Sequence, residues 1–129
     1  MRRLEVFEPI ELNITETPVL WINLDEATER KEKMESMFER HGFKNVTRIP
    51  GIKHERGLIG CGLAFLQAFE QAPECDFIIL EDDCAVTEWF TTDDVVLPDC
   101  DLVYFGGSMW AREPDLSKRS EHHPYISEF

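Results

Sequence analysis

The feature that most constrains the fold of this chain is a run of four apolar residues that ends abruptly in three carboxylates, Phe77–Asp83. A short, continuous apolar run is typical of a strand buried on both faces, of the kind found in a parallel sheet covered by helices. In open α/β sheets, ligands bind in the crevice outside the carboxyl ends of the strands. We therefore predict that Glu81, Asp82 and Asp83 lie at the ligand-binding edge of a parallel sheet.

Three adjacent carboxylates repel one another and lose hydration energy unless a partner compensates their charge. Hard divalent cations such as Mg²⁺ and Mn²⁺ prefer oxygen ligands and are the usual partner. Two interpretations stay open from the residues alone: a divalent-metal site, and a solvated acidic turn that caps the next segment. No Lys or Arg lies between Arg56 and Arg112. A phosphate-bearing ligand at this strand end would therefore need a metal ion to supply the positive charge. We expect Arg30, in a predicted helix earlier in the chain, to lie away from this strand end.

Composition places the chain among ordinary globular proteins. Its 129 residues suit one domain, and 43% hydrophobic residues with 30% charged residues are typical of a soluble protein. A net charge of −13 argues against nucleic acid or an anionic membrane as the main partner. No stretch approaches a membrane span, and acidic residues occur too early for a signal peptide. We expect a cytoplasmic protein with one domain over residues 1–129 and an irregular tail over 112–129.

The four cysteines lie far apart in the sequence and include no C-x-x-C pair. They are Cys61, Cys75, Cys84 and Cys100. This spacing suggests neither a zinc site nor a disulfide framework. We predict reduced thiols, most of them buried.

The pattern of apolar residues predicts an α/β fold with a mostly parallel sheet and flanking helices. Strands are predicted near residues 18–24, 46–49, 76–80 and 101–106, and an edge strand or short hairpin over Leu4–Ile14. Helices are predicted near 26–41 and 58–72. We expect Asp25 to cap the first helix and Gly42 to end it. The second helix is apolar on almost every side, so we predict that it is buried, with Phe65 and Phe69 in the core.

Three glycines lie at the start of the second predicted helix: Gly57, Gly60 and Gly62. Their G-x-x-G-x-G spacing, with no strand immediately before it, does not match the fingerprint of a dinucleotide-binding turn. We predict that they serve close backbone packing or an exposed helix N-terminus.

Five short motifs lie between about residue 18 and residue 107. They are Val19–Asp25 followed by Arg30, Arg48–Pro50, Ile59–Cys61, Ile79–Asp83 and Asp101–Gly106. In order and approximate spacing they resemble the family 25 glycosyltransferases, the lipopolysaccharide-type sugar transferases that are similar to the procollagen galactosyltransferases. The chain departs from the family at Ala64 and Phe65, where the family usually has Ser-His.

The resemblance implies a Rossmann-like fold of the nucleotide-diphospho-sugar transferase type A, shortened at the C-terminus. It implies a nucleotide-diphospho-sugar donor, Mn²⁺ or Mg²⁺ at the acidic motif, and transfer of a hexose, often galactose, to a saccharide or hydroxyl acceptor. By matching position, the donor-binding residues are Asn23, Asp25, Arg30, Glu81 and Asp82. The resemblance also implies that Asp82 and Asp83 are the metal ligands. The catalytic base stays unassigned.

Members of this family continue well beyond the motif that matches Asp101–Gly106, into the half that binds the acceptor. This sequence ends at Phe129. A fragment, a minimal enzyme and a donor-binding relic all stay open as interpretations. We also expect that an oligomer or a partner chain could supply the acceptor half.

Two other classes of protein compete with the transferase. A phosphoacceptor receiver domain also has an acidic strand end, but it carries that motif near its N-terminus and needs a later lysine. Here the motif is at Glu81, and the only later lysine is Lys118 in the tail. The stronger rival is a non-catalytic sugar-nucleotide-binding or interaction module derived from the same fold.

Overall fold

A computed structural model describes residues 8–88 and 90–105, together with the backbone of residues 119–120 and 123–127. The chain divides into two compact units, one formed by Ile10–Leu97 and the other by Met1–Pro9 with Pro98–Phe129. None of the described helices is long and apolar enough to cross a membrane. The fold is α/β, as the apolar pattern predicts.

The unit Ile10–Leu97 holds a three-stranded parallel sheet and two helices. In chain order its elements are β1 (Ile10–Leu12), β2 (Val19–Asn23), α1 (Thr28–His41), β3 (Val46–Pro50), α2 (Gly57–Gln71), β4 (Ile78–Glu81) and β5 (Val95–Leu97). The sheet has the order β3-β2-β4, so β2 is its central strand. Strands β1 and β5 form a separate antiparallel pair. The pattern did not predict β5.

The two helices pack against opposite faces of the sheet, because side chains alternate along the central strand. Val19 and Trp21 of β2 face α1, whereas Leu20 between them faces α2. The cluster on the α1 side comprises Val19, Trp21, Met34, Phe38 and Ile78. The cluster on the α2 side comprises Leu20, Ile49 and Ala68. Every strand of this sheet therefore has one face toward each helix.

The start of α1 differs from the prediction. The helix begins at Thr28, and Ala27 occupies the N-cap position without a side-chain capping bond. Asp25 is not the cap, because its carboxylate accepts a hydrogen bond from Arg48 Nη2 at 2.7 Å. The chain turns at Asp25 and Glu26 before the helix starts, and the N–H of Ala27 donates to Leu24 O at 3.0 Å.

The end of α1 at Gly42 is confirmed. Gly42 has a φ of 75°, in the left-handed region that glycine adopts without steric cost. Its N–H donates to Glu39 O at 3.3 Å, and the next N–H, of Phe43, donates to Phe38 O at 3.0 Å. This pair of bonds is the Schellman arrangement, which satisfies the last carbonyl groups of a helix.

The prediction that α2 is buried is wrong. Its buried residues are the small ones, Gly60, Ala64 and Ala68, at a spacing of four. Phe69 is 55% exposed and Phe65 is only half-buried. Residues four apart share one side of a helix, so the small residues form the side that meets the sheet and leave the large apolar ones outside. Ala64 is a core residue. It is also the first of the two positions at which the chain differs from the Ser-His of the family 25 glycosyltransferases.

Close backbone packing was one of the two roles predicted for Gly57, Gly60 and Gly62, and Gly60 has this role. A Cβ atom at this position would lie 2.3 Å from the carbonyl oxygen of Ile52. No side chain fits there, since real Cβ contacts do not come so close. An added Cβ at Gly57 or Gly62 would instead meet nothing within 4 Å. Of these three glycines, Gly60 alone is therefore required for packing.

Strand β4 is confirmed as a strand, although it is an edge strand of the sheet and not an inner one. Ile78 is buried, and Ile79 and Leu80 are half-buried between the two apolar clusters. Both faces of β4 are therefore packed, while its outer edge has no strand beside it within the described residues. The carboxyl end of β4 therefore still lies at the edge of the sheet where ligands bind, but β4 is not an inner strand.

The strand predicted over residues 101–106 is not present in the part that the structure describes. Residues 101–105 have no strand, and Gly106 lies outside the described residues. Leu102, Tyr104 and Phe105 are exposed. Alternating apolar residues form a strand only when a neighbouring strand pairs with them, and the pattern alone cannot supply that neighbour.

The tail and the cysteines also differ from expectation. Residues Arg119–Ser120 (β6) and His123–Ser127 (β7) form an antiparallel pair, so this part of the tail is not irregular. Tyr125 and Ile126 are strand-forming residue types, which accounts for β7. Of the predicted strand over Leu4–Ile14, residues 10–12 form β1, and residues 1–7 lie outside the described residues.

All four cysteines are free as predicted, but three of them are exposed and Cys84 is half-buried.

Candidate functional site

The carboxyl ends of β2 and β4 lie side by side, and a polar network connects them. After β2 the chain passes through α1 to β3 on one side of the sheet, and then through α2 to β4 on the other side. The strand order therefore reverses between β2 and β4. In open α/β sheets the ligand crevice lies outside the carboxyl ends of the strands at such a reversal.

Asn23, the last residue of β2, is the centre of this network and is 1% exposed. Its Nδ2 donates to Asp82 Oδ2 at 2.8 Å and to Ala27 O at 3.1 Å. Its Oδ1 accepts a hydrogen bond from Arg48 Nε at 3.0 Å. An amide with both donor hydrogens and its oxygen engaged is fixed in orientation, and its burial then carries no unsatisfied polar group.

Asp82 receives a second partner from α1. Arg30 Nη1 lies 3.2 Å from Asp82 Oδ1, and the side chains are 62% and 12% exposed, respectively. The interpretation that Arg30 lies away from the acidic strand end, where only carboxylates would meet a ligand, is therefore wrong. Helix α1 begins beside the carboxyl end of β2, so its first turn lies next to the end of β4. A segment without Lys or Arg in the sequence still meets cations from other elements in the fold.

Arg48 belongs to the same site, although the sequence patterns predicted no role for it. Its Nη2 donates to Asn23 O at 2.9 Å and to Asp25 Oδ1 at 2.7 Å, in addition to the Nε contact with the amide of Asn23. Arg48 pairs with Trp21 in the parallel register of β3 and β2. The signal that could have identified it is a charged residue inside a predicted strand, next to Ile49, which is fully buried.

Glu81 points away from this network. As the last residue of β4 it faces the α2 side, where it accepts a hydrogen bond from Cys61 Sγ at 3.6 Å. Partial desolvation of the Cys61 thiol raises its pKa, and the charge and hydrogen bond of Glu81 raise it further. Because successive side chains of a strand alternate in direction, the side chains of Glu81 and Asp82 lie on opposite sides of the sheet. The structure thus brings together Asn23, Asp25, Arg30 and Asp82 but not Glu81.

The donor set at the strand end is compatible with a hard divalent cation. Asp83 is exposed, and it forms no hydrogen bond or ion pair within the described part of the chain. Asp82 uses two of the about four lone-pair positions of a carboxylate. No group of three His, Cys, Asp or Glu side chains converges among the described residues. Mg²⁺ is commonly held by one or two carboxylates while substrate phosphates complete its coordination, so two carboxylates fit such an ion.

An open groove of about 1010 Å³ runs between α1 and the segment Asp82–Val86; we call it the α1 groove. Its α1 wall carries Arg30, Lys33, Arg40 and His41 together with Glu29 and Glu32. Met34 and Met37 are apolar residues of the same wall, and Asp82 and Asp83 lie on the opposite wall. The groove therefore joins the polar network to an apolar surface flanked by basic side chains.

Comparisons of this chain with models of known protein families, with curated proteins and with solved structures find no match. The site is therefore interpreted from its own geometry and from the five motifs of the sequence.

Proposed function

We propose that this protein binds a nucleotide-diphospho-sugar at the carboxyl ends of β2 and β4 and transfers its hexose to a saccharide or hydroxyl acceptor. The proposal includes the Rossmann-like transferase fold of type A and the cytoplasmic location that the sequence led us to expect. One observation carries it: Asp82 binds both Asn23 and Arg30. Two motifs that resemble the family 25 glycosyltransferases, far apart in the sequence, thus supply one continuous site.

Arg30 is the residue best placed to meet the diphosphate. Its guanidinium is more than half exposed and borders the α1 groove, so it can bind a phosphate oxygen without leaving Asp82. Asn23 and Arg48 are more buried and hold each other in place. They fix the geometry of Asp82 and Asp25, which border the nucleotide.

The proposed metal, Mn²⁺ or Mg²⁺, is held by Asp82 and Asp83. When bound, such an ion acts as a Lewis acid that stabilises the negative charge of a nucleoside diphosphate leaving group. Asp82 is oriented for this role by Asn23, and Asp83 supplies the exposed carboxylate. Arg30 adds a second positive charge on the side of the donor, which lowers the repulsion between the phosphates and the acidic strand end.

A non-catalytic sugar-nucleotide-binding module is the second candidate function. It is favoured because both oxygens of Asp82 already have hydrogen-bond partners within the protein. A chain that had kept donor binding and lost transfer would still need this network to hold the nucleotide.

Calorimetric titration of uridine diphosphate tests the binding step. We expect binding with Mn²⁺ present and none with a chelator, and we expect Asp83→Asn to weaken it strongly, since an amide brings no negative charge to hold the ion. Glu81→Gln is the matched control, because its carboxylate lies on the α2 side, and it should leave the affinity unchanged. Binding that is indifferent to both chelator and Asp83→Asn would overturn the metal site.

Turnover separates the two candidate functions. Only the transferase releases free nucleoside diphosphate from a nucleotide sugar when an acceptor is added. Metal-dependent binding without any release, over a panel of saccharide acceptors, would support the non-catalytic module.

A further inference from the structure

The side of α2 that faces away from the sheet carries five exposed apolar side chains, which we call the α2 face: Leu58, Ile59, Leu63, Leu66 and Phe69. Leu58 and Leu66 are 88% and 61% exposed. A helix that is apolar on all sides is typical of one that is covered on all sides. Contiguous apolar surface of this kind marks an interaction site, and single exposed residues do not.

The two ends of α2 carry opposite charges. Arg56 lies immediately before the helix and Glu70 lies in its last turn, and both are exposed. Neither side chain forms a hydrogen bond or an ion pair with any other residue that the structure describes. Between them the helix contains no charged residue. The α2 face is therefore an apolar strip with a free cation at one end and a free anion at the other.

We infer that the α2 face is covered by a second copy of this chain, in a two-fold symmetric dimer with antiparallel α2 helices. A two-fold interface requires a surface that is complementary to itself. Positions 56 and 70 are symmetric about position 63, so antiparallel packing centred at Leu63 places Arg56 of each copy beside Glu70 of the other. The same register sets Leu63 of one copy against Leu63 of the other, with Ile59 and Leu66 on either side of this contact. Parallel packing would set like charges together at both ends.

The dimer is expected to be weak. A helix of this length spans about 22 Å, and its face is smaller than the about 800 Å² per partner of a standard interface. The net charge of −13 on each copy also opposes association. This repulsion is screened beyond about 8 Å at physiological ionic strength, whereas the Arg56–Glu70 contacts are shorter than that. We expect a roughly micromolar or weaker dissociation constant under those conditions.

Sedimentation equilibrium of the full chain at physiological salt tests the inference. The wild-type chain should show a concentration-dependent equilibrium of monomer and dimer, and Leu66→Glu should weaken the dimer at least about tenfold. At concentrations at which both chains are monomeric, the circular dichroism and melting temperature of that variant should match those of the wild type, since Leu66 is exposed. Val96→Glu is the control, because Val96 is a similarly exposed apolar residue on β5, outside the α2 face. It should leave the dimer intact.

Charge reversal tests the antiparallel register. Arg56→Glu and Glu70→Arg should each weaken the homodimer, because each places like charges together at both ends. An equimolar mixture of the two variants should associate again, since every contact then joins Glu to Arg. Failure of the mixture to associate would overturn the antiparallel register.

Two outcomes would overturn the dimer itself. One is a wild-type chain that stays monomeric at every concentration, and the other is a dimer that Leu66→Glu does not affect. If the monomer instead bound neutral phosphatidylcholine vesicles, and Leu66→Glu abolished that binding, the α2 face would be assigned to a lipid surface.

Discussion

Asn23 donates a hydrogen bond from Nδ2 to the carboxylate of Asp82 at 2.8 Å, although the two residues are 59 positions apart in the sequence. This contact joins the ends of β2 and β4, the two strands whose carboxyl ends form the proposed donor site. It also explains why an amide and not a carboxylate ends β2. Aspartate at this position would set two negative charges in contact, within a buried site.

We expect Asn23→Ala to destabilise the protein by about 2–4 kcal/mol, because it removes the buried amide that binds Arg48 Nε, Asp82 Oδ2 and the carbonyl oxygen of Ala27. Urea unfolding measures the change in the free energy of unfolding. Asn45→Ala is the matched control, since Asn45 is exposed and its side chain forms no hydrogen bond in the described part of the chain. Equal stability of the two variants would show that the network at Asn23 is not structural.

The sequence predicted the strands and helices of the parallel sheet well because apolar periodicity is a local signal. Strands β2, β3 and β4 and helices α1 and α2 all lie within a few residues of their predicted bounds. The strand over residues 101–106 failed because its formation depends on a neighbour that the pattern does not specify. The acidic strand end was located for the same local reason, since an apolar run followed by Glu81–Asp83 is visible in one short window.

The contacts of the site were harder to predict because they depend on which elements are adjacent. Arg30 was expected to lie away from the acidic residues, and it binds Asp82. Asp25 was expected to cap α1, and it binds Arg48. In both cases the side chain binds a partner from another element of the fold, which a local sequence pattern does not reveal. The burial of α2 was misjudged for a different reason. The sequence of a helix that is apolar all round does not reveal which side meets the sheet, and in α2 it is the side with the smallest residues.

Two phenylalanines should respond differently to truncation. Phe38 is 3% exposed and contacts the rings of Trp21 and Phe43, so Phe38→Ala should cost about 3–5 kcal/mol. Phe69 is more than half exposed and keeps only an edge contact with Phe77, so Phe69→Ala should cost about 1 kcal/mol. Thermal unfolding of both variants measures the difference. A large loss at Phe69, measured on the monomer, would mean that the outward side of α2 is misassigned.

Two glycines of α2 should respond to alanine with opposite signs. Gly60→Ala forces a Cβ against the carbonyl oxygen of Ile52 and should destabilise the protein by about 2–3 kcal/mol. Gly62→Ala meets no atom within 4 Å and should stabilise it by about 0.5–1 kcal/mol, because alanine favours the helix. Urea unfolding of the pair provides its own control, since the chemical change is identical. Changes of the same sign would contradict the packing of α2 against the loop at Ile52.

The pH dependence of two thiols should separate the two sides of the acidic strand end. Burial and the nearby Glu81 raise the pKa of Cys61 above its ordinary value of 9.0, and burial and Asp83 raise the pKa of Cys84. Just above that ordinary value, the folded protein keeps a proton that the unfolded chain has lost. Both thiols should therefore make the free energy of unfolding fall as the pH rises through this range.

Alkylation followed by peptide mass spectrometry tests the two environments at a pH near 9.0, the ordinary thiol pKa. Glu81→Gln should speed the alkylation of Cys61 and leave Cys84 unchanged, while Asp83→Asn should do the reverse. The crossed design is its own control, since each variant removes one negative charge. If both variants accelerated the same thiol, Glu81 and Asp83 would not face opposite sides of the sheet.

Removal of Arg30 should change nucleotide binding and metal binding in opposite directions. Arg30 and a divalent ion both compete for the carboxylate of Asp82, so Arg30→Ala should strengthen Mn²⁺ binding to the free protein. The same variant should weaken binding of uridine diphosphate, because a cation that meets the phosphates is lost. Lys31→Ala is the control, since Lys31 is the next residue of α1 and pairs with Glu35 at 3.8 Å, away from Asp82. Calorimetric titration of each variant, first with Mn²⁺ and then with the nucleotide, measures both affinities. Parallel losses of both affinities in Arg30→Ala would indicate that Arg30 holds Asp82 in place for the metal and does not compete with it.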